Sequence, residues 1–176
     1  MTTQILLAGS GGQGLLFAGK FLAYAGMMEG KEVSWLPSYG PEARGGTSNC
    51  SVIFSNGPIG SPIVQQPDVL VAMNLPSYLR FMPAIQPGGV LLADSSLVSE
   101  HCAREDITAV ALPATQMAYD EELKGLANMI LIGRMLKETA LVAPETVQPA
   151  MEKCIPPTKA AMLALNLRAI ALGFGA

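Results

Sequence analysis

Two stretches near the start of the chain carry residues suited to holding an anion. The first is a glycine turn, Gly9-Ser10-Gly11-Gly12-Gln13-Gly14. The second runs from Ser38 to Ser51, SYGPEARGGTSNCS, and contains Tyr39, Gly40, Arg44, Gly45 and Gly46. Glycine reaches positive φ and lets a ligand or another backbone come close, while proline fixes its own φ. A segment this rich in both, with Pro41 at its centre, reads as a shaped loop. Arg44 is suited to a carboxylate or phosphate, because its planar fork donates two parallel hydrogen bonds. The alternative at this point is an ordinary surface loop with a solvated arginine.

The glycine turn has its own chemistry. Glycines between a strand and a helix expose backbone N–H groups at the helix N-terminus, where negative charge is welcome. A tight strand–helix turn without a ligand is the competing reading. A dinucleotide site also asks for an acid about twenty residues further on, at the tip of the second strand. Here Glu32 precedes the run Val33–Leu36 instead of ending it, so the pattern departs from that of a dehydrogenase. Other catalytic equipment is missing: there is no nucleophile elbow, P-loop lysine or HExxH. Cys50, Cys102 and Cys154 are far apart, no CxxC occurs, and His101 is the single histidine, so no metal site is expected. No catalytic residue is assigned to this chain alone.

The elements that must position these stretches can be read in order. Gln4–Ala8 is a short apolar run of the kind that forms a buried parallel strand. Leu15–Met28 has helical spacing. Thr47–Ser55 alternates, with Cys50, Val52 and Phe54 on one face. Ile59–Val64 is short and extended. Asp68–Met73 is a further strand, and Asn74 stands at its carboxyl end, either as a ligand contact or as the cap of a helix over Leu75–Ile85. Val90–Ala93 and Ile107–Leu112 complete the strands. Helices are expected over about Ala114–Lys124, Leu126–Thr139, Glu145–Cys154 and Lys159–Leu172. Strands alternating with helices, then helices alone, predict a three-layer α/β/α Rossmann-like fold with a mostly parallel sheet and a helical C-terminal part. The whole chain, 1–176, is taken as one domain.

Composition narrows the function classes. Half of the residues are hydrophobic, 14% are charged, and the formal net charge is −3. Basic residues are scattered, so no nucleic-acid surface is expected. No apolar run reaches the ~18–20 residues of a membrane span, and the N-terminus lacks the basic region of a signal peptide. A cytoplasmic chain is therefore expected. Ten methionines, several in the helical half, suit either plastic core filling or an adaptable partner surface.

At this point a family resemblance becomes visible. GSGGQG at 9–14, SYGPEARGGTSNCSV at 38–52, IGSPIV at 59–64 with PDVLVAMN at 67–74, and LANMILIG at 126–133 resemble the gamma subunit of 2-oxoacid:ferredoxin oxidoreductases. The 2-oxoglutarate type is most similar. Branched-chain (2-ketoisovalerate), pyruvate and indolepyruvate enzymes are the alternatives. The resemblance implies a complex that decarboxylates a 2-oxoacid on thiamine diphosphate with Mg. The acyl group goes to coenzyme A, and electrons pass through iron–sulfur clusters to ferredoxin. It implies alpha and beta partner subunits, with a ferredoxin-like delta subunit as a further candidate, and places thiamine and clusters on those partners. Coenzyme A phosphate would sit on the Ser10–Gly14 amides, with Tyr39–Gly46 along the path of its thiolate. A free-standing dehydrogenase and a non-catalytic nucleotide-binding module are the rival classes.

Overall fold

The computed structural model describes residues 1–39 and 47–176. Six strands form one sheet: β1 (Thr2–Ser10), β2 (Glu32–Tyr39), β3 (Thr47–Ser55), β4 (Val69–Ala72), β5 (Val90–Asp94) and β6 (Thr108–Leu112), in the spatial order β2-β3-β1-β4-β5-β6. β1, β4, β5 and β6 run parallel, while β3 is antiparallel to both β1 and β2. The helices are α1 (Leu15–Met28), α2 (Leu75–Phe81), α3 (Ala114–Asp120), α4 (Ala127–Thr139), α5 (Pro144–Cys154) and α6 (Ala160–Gly175).

β1 is covered on both faces, which is why it reads as a continuous apolar run. Ile5 and Leu7 join the larger core with α1 and the helices of the C-terminal half, while Leu6 and Ala8 join the smaller one beneath α2. Cys50, Val52 and Phe54 of β3 share the larger core, as their spacing predicts. β2 lies at the sheet edge, where Pro37 removes no ladder bond that a further strand would need.

The three layers are unequal, because among the described residues α2 is the one α-helix that buries a face in the smaller core. Several expected bounds also shift. The helix expected over Ala114–Lys124 stops at Asp120, because Glu122 takes a left-handed φ of 55° that breaks the helical run. The one expected over Leu75–Ile85 ends at Phe81 and tightens into a 3₁₀ turn, Met82–Ala84, where Pro83 supplies no N–H. Ile59–Val64 belongs to no strand.

Two long-range devices hold the helical half. α4 and α6 cross at glycines in a reciprocal pattern, Ile130-x-x-Gly133 against Ile170-x-x-Gly173. A Cβ at Gly133 would strike the Ile170 carbonyl oxygen, and one at Gly173 would strike the Ile130 carbonyl oxygen. Near the C-terminus of α1, Glu29 Oε1 accepts from Ala143 N at 2.9 Å and from Thr146 Oγ1 at 2.6 Å, capping α5, which has no side-chain cap at Ala143. These bonds lower the Glu29 pKa below its usual value of 4.5, the Thr146 bond most. Glu29→Ala is expected to destabilise by about 1 kcal/mol near neutral pH, as for a lost helix cap. The carboxylate form is the one favoured by folding. Its contribution is therefore present above pH 4.5 and is lost as pH falls through the depressed native value. Urea midpoints of the two proteins should converge in acid.

Candidate functional site

The carboxyl edge of the parallel strands is where the predicted residues meet. β1 ends at Ser10, and Gly11–Gly14 turns the chain into α1, with φ of 92° at Gly12 and 74° at Gly14. Gly14 is required in both conformation and space, since a Cβ there would come within 2.5 Å of Asn128 Nδ2. α1 has no side-chain cap and no acid in its first turn, which leaves its N-terminal amides uncovered by any anion of its own.

Gln13 folds back beneath the turn. Its Oε1 accepts from Ser10 N at 2.8 Å, and its Nε2 donates to Met73 O at 2.9 Å. Both ends of the amide are thereby engaged in tying the tip of β1 to that of β4, and the peptide groups of Gly11 and Gly12 form the exposed crest. Asn74 acts as a cap: its Oδ1 accepts from Ser77 N at 3.0 Å at the start of α2, while its Nδ2 donates to Ser10 Oγ at 3.1 Å. Ser10, Gln13 and Asn74 thus form one hydrogen-bonded frame behind the glycines.

Tyr39 closes β2 with 67% of its surface exposed. It pairs with Ser48, and Thr47 pairs with Ser10. The chain therefore leaves β2 and re-enters β3 on the same edge as the glycine turn, and two strand spacings separate Tyr39 from β1, about 10 Å. Gly40, Arg44, Gly45 and Gly46 lie outside the described residues.

Beside the turn opens a cleft of about 550 Å³, mostly apolar, with Gln13, Met73, Thr115, Tyr119, Lys124 and Asn128 among its walls. None of Thr115, Tyr119, Lys124 and Asn128 was among the residues singled out by the sequence. Asn128 is 4% exposed and donates from Nδ2 to Gly14 O at 3.0 Å, across 114 positions, while its Oδ1 has no partner. One signal for it existed: a lone amide inside the apolar run LANMILIG. Thr115 is held by the fully buried Asp94 at the tip of β5, which accepts from its Oγ1 at 2.5 Å and its N at 3.2 Å. Lys124 and the 80%-exposed Tyr119 stand at the rim. The cleft therefore offers uncovered helix amides, one cation and an exposed aromatic ring against an apolar floor. That set can hold an anionic group attached to a less polar body.

No cysteine is among its lining residues. Cys50, behind the turn, is fully buried and its thiol is pushed up to about 11 by that burial. No group of three or more potential metal-ligating side chains occurs among the described residues, nor is any helix there long and apolar enough to cross a membrane.

Comparison with known proteins agrees with this geometry. Residues 4–176 match the family described as pyruvate ferredoxin/flavodoxin oxidoreductase. Ketoisovalerate oxidoreductase subunit VorA of Methanothermobacter marburgensis is 41% identical over 133 residues, covering 76% of this chain but 28% of that protein. The chain thus corresponds to a little over a quarter of the VorA length. 2-Oxoglutarate synthase subunit KorC of Methanocaldococcus jannaschii is 38% identical over 159 residues, 89% of this chain and 85% of that one. Among solved structures, the gamma subunit of a keto/oxoacid ferredoxin oxidoreductase from Geobacter sulfurreducens superposes with a TM-score of 0.82 at 32% identity, over 98% and 96% of the two chains. The 2-oxoglutarate:ferredoxin oxidoreductase of Magnetococcus marinus, solved with 2-oxoglutarate, coenzyme A and succinyl-CoA, superposes with a TM-score of 0.85 at 25% identity over 99% of this chain and 30% of that one. The match over residues 4–176, the KorC relative and the superposition with the Geobacter gamma subunit place the chain in the pyruvate ferredoxin/flavodoxin oxidoreductase family, of the gamma-subunit type.

Proposed function

We propose that this chain, acting as one domain over 1–176, is the gamma subunit of a 2-oxoglutarate:ferredoxin oxidoreductase and forms the coenzyme A side of its active centre. The complex converts a 2-oxoacid, coenzyme A and two oxidised ferredoxins into acyl-CoA, carbon dioxide, a proton and two reduced ferredoxins. Thiamine diphosphate, Mg and iron–sulfur clusters are assigned to alpha, beta and ferredoxin-like delta partners, which supply the decarboxylation and electron-transfer chemistry. This chain's part is binding and orientation, in the cytoplasm.

The observation that carries the reading is the uncovered N-terminus of α1 beside the cleft. Of the expected Ser10–Gly14 amides, Ser10 N donates to Gln13 Oε1 at 2.8 Å and Gln13 N to Ser10 O at 3.2 Å, so phosphate of coenzyme A sits on the Gly11, Gly12 and Gly14 amides, where the helix dipole and oriented N–H groups stabilise it. The chain's net charge of −3 makes this attraction local, not a property of the whole surface. Lys124 at the cleft rim adds a cation, and Tyr119 offers a ring to the less polar part of the ligand. Tyr39 and the 40–46 loop, with Arg44, Gly45 and Gly46, line the path of the thiolate.

Ketoisovalerate is the second substrate reading, favoured by the VorA relative. The test is expression with its partner subunits and assay of coenzyme A-dependent viologen reduction on 2-oxoglutarate, 2-ketoisovalerate and pyruvate. Turnover is expected with 2-oxoglutarate preferred. A preference for 2-ketoisovalerate selects the second reading, and turnover that ignores coenzyme A overturns the assignment. In the same assay Arg44→Ala is expected to raise the KM for coenzyme A at least ~30-fold, the worth of a buried charge pair broken on one side. An unchanged KM with assembly intact removes Arg44 from the site.

A further inference from the structure

The opposite face of the sheet carries a second cavity, of about 210 Å³, roofed by Tyr78, Glu100, His101 and Cys102 over a floor that includes Leu91 and Ala93. These floor residues belong to the smaller core beneath α2, whereas the cleft beside the glycine turn opens on the larger one. Tyr78 is 2% exposed, and its hydroxyl lies beside the Cys102 thiol with no hydrogen bond completed there or elsewhere. A buried hydroxyl without a partner costs about 1–3 kcal/mol, so this one is poised for an acceptor that the fold does not supply. Burial, with the Cys102 thiol and Glu100 close by, holds the phenol pKa above its ordinary value and keeps it a donor.

The wall is rigid. Arg104 donates from one guanidinium nitrogen to the carbonyls of Met82 and Ile85, and through Nε and its other nitrogen to both oxygens of Asp106. The segment that carries Cys102 is thereby pinned to the end of α2. The Cys102 thiol lines this cavity. Cys50 is fully buried, and burial pushes both Cys50 and Cys154 up to about 11.

We propose that Cys102 is a thiol-exchange site, taking a small, non-acidic thiol as a mixed disulfide whose oxygen accepts from the Tyr78 hydroxyl inside this cavity. The Cys102 thiolate attacks one sulfur of a low-molecular-weight disulfide. The reagent's S–S bond breaks, the Cys102–S–S–R bond forms, and the departing thiolate takes up the proton that Cys102 released. No outside electron is needed, and excess thiol reverses the step. The cavity lies below the ~300 Å³ of ordinary ligand sites, which admits a short substituent and excludes a bulky one. Glu100 at its mouth disfavours acidic reagents.

The test treats the full-length chain with 2-hydroxyethyl disulfide, glutathione disulfide and dipropyl disulfide, followed by peptide mass mapping. Cys102 is expected to form the hydroxyethyl adduct at least ~30-fold faster than Cys50, which is fully buried, or Cys154, whose thiol burial pushes up to about 11. The exchange equilibrium for hydroxyethyl is expected to exceed that for propyl by about 5- to 10-fold, one hydrogen bond, and Tyr78→Phe is expected to abolish that preference. Glutathione is expected to add poorly. Comparable labelling of all three cysteines overturns the proposal. So does equal stability of the hydroxyethyl and propyl adducts on the unmodified sequence, a result that does not depend on any variant folding.

Discussion

Alanine at Gly173 is expected to destabilise the protein by about 3 kcal/mol, in the range of severe overpacking. The added Cβ would collide with the Ile130 carbonyl oxygen and lie 2.7 Å from its carbon and 3.1 Å from Arg134 N. All three are backbone atoms of α4, so no side chain can rotate away, and α4 and α6 must separate. Separation also opens the packing of Ile130 and Ile170, 0% and 5% exposed. Against this stands the helix-propensity gain of Gly→Ala, about 1 kcal/mol, which is smaller than the clash. For a chain of this size the loss corresponds to a fall in Tm of about 6–12 °C. Gly133→Ala should behave alike, because its Cβ would meet the Ile170 carbonyl in the same way. Gly175→Ala is the control: nothing lies within 4 Å of its Cβ, and no loss is expected. Equal melting of Gly173→Ala and Gly175→Ala would show that the helices do not cross in contact here.

Gly11→Asp is expected to abolish coenzyme A binding while sparing the fold. No atom lies within 4 Å of a Cβ at Gly11, and Gly11 does not take the positive φ found at Gly12 and Gly14, so the substitution meets neither a packing nor a backbone barrier. The new carboxylate would occupy the crest of the turn, against the α1 amides that the proposed site offers to phosphate. Competition for those amides and repulsion between like charges together amount to several kcal/mol, a rise in KM of about 100-fold or more. Assembly with partner subunits and the melting temperature are expected to change little. Glycine-turn substitutions that change assembly but leave the KM intact would mark the turn as purely structural. Gly14 is unsuited to this test, since its left-handed φ of 74° and its contact with Asn128 make any side chain there a folding defect as well.

Much of this architecture was legible from local chemistry. Runs such as QILLA and DVLVAM suit buried strands, because they are short, apolar and closed by glycine or asparagine, and both lie within strands of the sheet or at their ends. Asn74 before Leu75-Pro76 was open to two readings, a ligand contact or a helix cap, and the structure gives it the cap role through Ser77 N. Alternation along Thr47–Ser55 correctly sorted Cys50, Val52 and Phe54 to one face. It could not say that β3 runs antiparallel between β1 and β2, since a period of two carries neither direction nor partner.

The site divides in the same way. A glycine turn before a helix announces itself in six consecutive residues, whatever surrounds it. Asn128 does not, because it meets Gly14 across 114 positions; nor does Asp94, which reaches Thr115 from another strand. Gly133 and Gly173 carry no local signal of their purpose, and the crossing of α4 with α6 explains them. Local backbone preference depends on near neighbours and is written in order along the chain. The cleft, the frame behind the turn and the helix crossing depend on which distant surfaces bury each other, and that was decided when the sheet and its larger core closed.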